Sequence, residues 1–273
     1  MSAAPQGARD RPDADPWDAA PPQVARAADL TAGRVHAAAL AVLRSASGRL
    51  LPLLESARIA VEEVTRAERG SPQAPRRACR AGCSSCCYLA VSITPAEAMM
   101  IASGLRRQRS PDELAVVRQR IHATAARVSH LPIEQRALAR VPCALLGPDG
   151  ACTIHAFRPL GCRGWTSFDA KACETALNDD RPGHDGPQDA LLYATAGAAS
   201  DGLNAALREA GAPAGNCEFH AAVLVALAAL ETEPPHRSGA SAENAPTSEW
   251  AASALPAAFA ACPRVTSERL RSG

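Results

Sequence analysis

Lysine is almost absent from this chain: of 29 basic residues only Lys171 is a lysine, the rest being arginine. Against 28 acidic residues the net charge is +1, so no basic excess draws a nucleic acid or an acidic membrane surface. Aromatic side chains make up only 3% of the sequence, while much of the 47% hydrophobic content is alanine. Sheets lean on aromatic and β-branched residues, so this composition favours helices packed through small side chains and leucine or valine stripes. Long apolar runs are lacking as well. The longest, Ala221 to Leu230, has ten residues and is too short to span a bilayer. Met1 to Asp29 mixes proline, aspartate and arginine with no apolar stretch of the kind a secretory signal needs. The expectation is a cytoplasmic chain with neither a membrane nor a nucleic-acid partner. There is no glycine-rich phosphate loop, no H-E-x-x-H and no legible Ser-His-Asp arrangement.

Cysteine is what the chain has in quantity. C-R-A-G-C-S-S-C-C places Cys79, Cys83, Cys86 and Cys87 within nine residues. A second group adds Cys143, Cys152, Cys162 and Cys173, so eight of the ten cysteines fall between residues 79 and 173. In a reducing compartment such a cluster argues for metal or redox work rather than a disulfide framework, and a bond between the neighbours Cys86 and Cys87 would be strained. Thiolates are soft ligands that suit zinc, copper(I) and iron–sulfur centres. Eight of them can supply two four-thiolate sites, or one such site and a reactive pair. The adjacent side chains of Cys86 and Cys87 are expected to diverge, so that one serves a second ion, bridges, or acts as a redox thiol. Arg158 and Arg163 flank Cys162, where they can offset thiolate charge and donate to sulfur, or pair with Asp169 or Glu174. Trp165 and Phe168 are expected to shield the cluster. Cys217 and His220 are close enough to share a helix face, and Cys262 reads as a free thiol in the tail.

The rest of the chain sets the frame. Residues 1–23 are proline-rich and charged and read as a disordered tail. Leu30, Val35, Leu40 and Leu43, then Leu50, Leu53, Leu54, Ile59, Val61 and Val64, recur at helical spacing, with Gly48 and Pro52 suggesting a break between two helices. Thr94-Pro95-Ala96-Glu97 and Ser110-Pro111-Asp112-Glu113 each read as a capping box with proline at the first helical position. Glu97 is either that cap or an oxygen near the metal. Pro132 to Arg140, Gln188 to Ala210 and Glu218 to Leu230 read as further helices. Tyr88 to Ile93 reads as a short extended piece, and Gly147 to Gly150 as a turn between two more. Ala176 to Pro187 reads as a loop, and a weak helical pattern spans Trp250 to Ala261. The expected fold is mainly α, an irregular helical domain over 24–231 wrapped around a cysteine-ligated metal centre (about 76–175), followed by a mostly flexible tail over 232–273.

The combined pattern, Cys79-x3-Cys83-x2-Cys86-Cys87, then T-P-A-E, then P-C-A-L-L with G-A-C-T-I-H-A-F-R-P-L-G-C-R-G-W, resembles the YkgJ-like cysteine-cluster family over about residues 76 to 175. His155 stands where that family more often has tyrosine. The resemblance implies chelation of zinc or iron, with a four-iron four-sulfur cluster among the options, by Cys79, Cys83, Cys86, Cys87, Cys143, Cys152, Cys162 and Cys173. It names no reaction. Metal handling or a redox step is the leading reading. A structural-zinc interaction module and an iron–sulfur enzyme are the alternatives, because flagellin lysine methylases carry a similar cluster. The C-x3-C-x2-C spacing also resembles that of radical SAM enzymes, but helices follow it here rather than alternating strands and helices.

Overall fold

A computed structural model describes residues 21–45, 50–70, 75–179, 188–232 and 254–265. The tail expected over residues 1–20, the break at Gly48, the loop over 180–187 and the expected tail over 233–253 and the last eight positions lie outside that set. Helix α1 (Pro22–Ser45) and helix α2 (Leu50–Arg69) realise the two leucine and valine stripes, with Val35, Leu43, Leu53 and Val64 buried. Leu30 instead stands exposed, because alanines share the buried faces: Ala39, Ala57 and Ala60 are fully enclosed. Both capping boxes form, at the head of α3 (Pro95–Gln108) and of α4 (Pro111–Val128). Further along lie α5 (Ile133–Leu138), α6 (Leu160–Gly164), α7 (Ala170–Asn178), α8 (Ala190–Glu209), α9 (Phe219–Thr232) and α10 (Ala254–Ala260). Two strands of two residues, β1 (Ser92–Ile93) and β2 (Cys217–Glu218), pair antiparallel. The fold is mainly helical, as expected.

The scaffold is built by α1 lying along α8, with α2 beside both, and by α3 against α9. Small residues let these helices approach closely. A Cβ on Gly202 of α8 would sit 2.3 Å from the Ala32 carbonyl of α1. Beyond that point Glu209 takes His36 at 2.9 Å and Arg44 at 2.8 Å. The contacts advance together along the two helices, so α1 and α8 run in the same direction.

Two readings change. Ala176 to Asn178 is helical, not looped, because Asp169 caps α7 by accepting from the Ala172 amide. The weak pattern near the C-terminus is α10, and it is docked: Leu255, Phe259 and Cys262 are buried in the core.

Candidate metal centre

The eight clustered cysteines come from separate short elements around the scaffold. Cys79 leads a turn in which Cys83 N–H bonds the Arg80 carbonyl at 3.0 Å. Cys86 and Cys87 lie in a 3-10 turn over Ser85–Tyr88, against which α7, carrying Cys173, packs. Cys143 and Cys152 stand either side of the tight turn at Gly147 to Gly150, closed by an antiparallel bridge between Leu146 and Cys152. Cys162 lies in α6. Cys79 is exposed and the other seven are half-buried.

Backbone contacts join the two cysteine groups across the 55 residues between Cys87 and Cys143. The Cys143 amide donates to the Cys87 carbonyl at 2.8 Å, and Ala78 donates to Ser167 at 2.8 Å. Gly82 (φ 82°) and Gly150 (φ 74°) pass backbone to backbone, and a Cβ on Gly150 would meet the Gly82 carbonyl at 3.0 Å. Side chains of L residues rarely adopt those φ values, so the crossing depends on glycine twice.

The sulfurs interact in two overlapping sets. Cys79 feels the charge of Cys83, Cys86 and Cys173, while Cys162 feels that of Cys143, Cys86 and Cys152. Cys86 belongs to both. Its side chain also shares a hydrogen bond with Cys87. That hydrogen bond, then burial, pushes the Cys86 thiol well up, and burial raises Cys79, Cys143, Cys152 and Cys162. Against burial, backbone N–H groups point at sulfur: Ser167 at Cys79 (3.4 Å), Leu145 at Cys143 (3.4 Å), and Ile154 at Cys152. Such donors favour the thiolate form and orient it, as the surroundings of a metal-bound sulfur do. Among the described residues, no three Cys, His, Asp or Glu side chains are already arranged to hold one ion. The donor chemistry nevertheless fits zinc or iron, since both accept thiolate ligands.

Around this core several charged groups take places that the sequence does not reveal. Arg158 and Arg163 pair with Glu68 at the end of α2, Arg163 at 3.4 Å, and not with Asp169 or Glu174. Asp169 is occupied as the α7 cap, and Glu174 pairs with Lys171 at 2.9 Å. Arg158 still reaches the cluster electrostatically, acting on Cys86, Cys152 and Cys162. Glu97 resolves as a cap with a second task. One oxygen accepts from the Thr94 amide and hydroxyl, both at 2.9 Å, and the other from Leu160 N–H at 2.8 Å, two residues before Cys162. Burial pushes its carboxyl up while those three hydrogen bonds oppose the shift.

Arg136, only 2% exposed, donates to the Tyr88 carbonyl at 2.8 Å, behind Cys87. Cys217 and His220 do not act together. His220 accepts the Ala144 amide on Nε2 at 3.3 Å, which leaves Nδ1 to donate to Glu218 at 2.8 Å and braces the Cys143 loop. Burial alone would raise Glu218, but hydrogen bonds from His220 and Ala221 outweigh it and hold the carboxyl below its usual range. Trp165 packs edge-on against Tyr193 of α8 with ring centroids 5.2 Å apart, and Phe168 is 41% exposed. His155 is largely exposed, and partial desolvation with the charges of Arg158 and Arg163 lowers its imidazole pKa.

A helical frame that gathers thiols from turns and from the short helices α6 and α7 defines a cysteine-cluster domain. Residues 78–178 match the CxxCxxCC family, described as a "Putative zinc- or iron-chelating domain", which supports the resemblance read from the cysteine pattern. No curated protein and no solved structure matches the chain. Among the described residues no helix is long and apolar enough to cross a membrane.

Proposed function

We propose that this chain holds zinc or iron through Cys79, Cys83, Cys86, Cys87, Cys143, Cys152, Cys162 and Cys173, and that it serves metal handling or a redox step. The observation that carries the reading is the meeting of both cysteine groups, with N–H donors aimed at Cys79, Cys143 and Cys152 and with Arg158 acting on three of the sulfurs. Cys79, Cys83 and Cys173 would serve one side of Cys86, and Cys143, Cys152 and Cys162 the other. When bound, the metal supplies charge neutralisation for the thiolates, and for iron a one-electron couple. The chain's own task is to orient the sulfurs: Glu97 fixes the start of α6, His220 fixes the Cys143 loop, and Gly82 and Gly150 let the loops cross.

Metal content of Cys86→Ser and Cys162→Ser, set against the unaltered chain, tests the ligand assignment. Each variant is expected to bind less metal per chain. Unchanged content in both would overturn it.

A further inference from the structure

Two cysteines lie outside the matched segment, 45 residues apart in the chain, and the fold brings them together. Cys217, in β2, is 0% exposed, and Cys262, just past α10, is 5% exposed. Both address the same carbonyl: Cys217 Sγ lies 3.7 Å from Phe259 O, and the Cys262 amide donates to that oxygen at 3.2 Å. The flanking backbone is joined too. Glu218 N–H donates to Pro263 O at 2.7 Å, and Arg264 Nη1 donates to Asn216 O at 2.6 Å. The same Arg264 nitrogen stands 3.5 Å from Cys217 Sγ. A hydrogen bond from the Cys262 thiol, with help from Arg264, lowers the Cys217 thiol against its burial and the charge of Glu218, and Cys262 is raised correspondingly. The guanidinium beside Cys217 favours the thiolate there, which makes Cys217 the nucleophile and leaves the proton on Cys262.

We propose that Cys217 and Cys262 form a dithiol site for small hydroperoxides, in which oxidation closes a disulfide that fixes α10 on the body of the molecule. The Cys217 thiolate attacks the terminal peroxide oxygen, the O–O bond breaks, and the leaving oxyanion takes up a proton as alcohol or water. Cys217 becomes a sulfenic acid. The Cys262 sulfur then attacks the Cys217 sulfur, the S–O bond breaks, and water leaves with the Cys262 proton. Two thiols and one hydroperoxide give one disulfide, one alcohol (or water) and one water, the peroxide gaining the two electrons the sulfurs lose. Both sulfurs are buried, so hydrogen peroxide is expected to reach them faster than a glutathione-sized disulfide.

The test uses the full chain, reduced and then treated with hydrogen peroxide or with oxidised glutathione, alkylated and digested with trypsin. Arg237 lies between the two cysteines, so they fall in separate peptides. Peroxide is expected to give a reducible cross-link between the Cys217 and Cys262 peptides. In Cys262→Ser the cross-link is lost and Cys217 is trapped by dimedone as sulfenic acid. Recovery of both peptides unlinked and alkylated, at an exposure that oxidises the exposed Cys79, would overturn the proposal. So would linkage of Cys217 to a cysteine of the 79–173 cluster, or cross-linking by oxidised glutathione as fast as by peroxide. The mapping on the unaltered chain stands by itself should the variant fail to fold.

Discussion

The helical scaffold and the cysteine segment hold themselves together by different means. Where α1, α2 and α8 meet, the interior is closed by Val35, Leu53, Leu203 and several alanines, all fully buried. In the cysteine segment seven of the eight sulfurs are half-buried and one is exposed, and the turns are held by single backbone hydrogen bonds and a crossing of two glycines. The scaffold draws its stability from apolar burial, which needs nothing from outside. The cysteine-bearing turns concentrate groups that repel one another once ionised, a repulsion that a bound cation would offset.

That contrast can be broken from the scaffold side first. Leu203→Ala removes a fully buried side chain between α8 and its neighbours and is expected to cost about 2–5 kcal/mol in denaturant unfolding. Gly202→Ala forces a methyl to 2.3 Å from Ala32 O, so α1 and α8 must part, at an expected cost of about 1–3 kcal/mol by the same measurement.

At the seam between the regions, Glu97→Gln is expected to cost about 1–2 kcal/mol, since an amide cannot accept from Thr94 and Leu160 as the carboxyl does. Its pH dependence has a definite sign. Burial raises the Glu97 pKa in the folded state above the unfolded value of about 4.3, so the carboxyl's contribution is fully present below that pH. It is lost as the pH rises through the folded pKa. The stability gap between the unaltered chain and Glu97→Gln should therefore be widest in acid and narrow as the pH rises through the folded pKa, as unfolding curves at a series of pH values would show. A gap that widens with pH would contradict the burial argument. Smallest of all, Glu209→Ala removes pairs whose members are about half exposed, and a change within about 1 kcal/mol is expected.

The scaffold was largely legible because periodicity and capping are local. Thr94 with Glu97, and Ser110 with Glu113, announced two helix starts within four residues each, and both formed. Helix α7 carries a local signal in Asp169 and the alanines after it, but the polar residues beyond it have the composition of a loop. In the site the cysteines themselves were plain, and their pattern carried the resemblance that the match over residues 78–178 supports. Their surroundings were not, because the partners are remote in the chain. Nothing near Arg158 points to Glu68, 90 residues earlier, and nothing near Cys143 points to His220. The Cys217 and Cys262 pair was hidden for the same reason, since only the docking of α10 brings them together.

The central claim is most directly tested by the metal content and visible spectrum of the full chain, expressed and purified without oxygen. Stoichiometric zinc in a colourless protein, or iron with acid-labile sulfide in a coloured one, is the expected result, and the choice between them decides whether a redox role is open. A chain that carries neither metal, and takes up neither when it is offered under reducing conditions, would contradict the account.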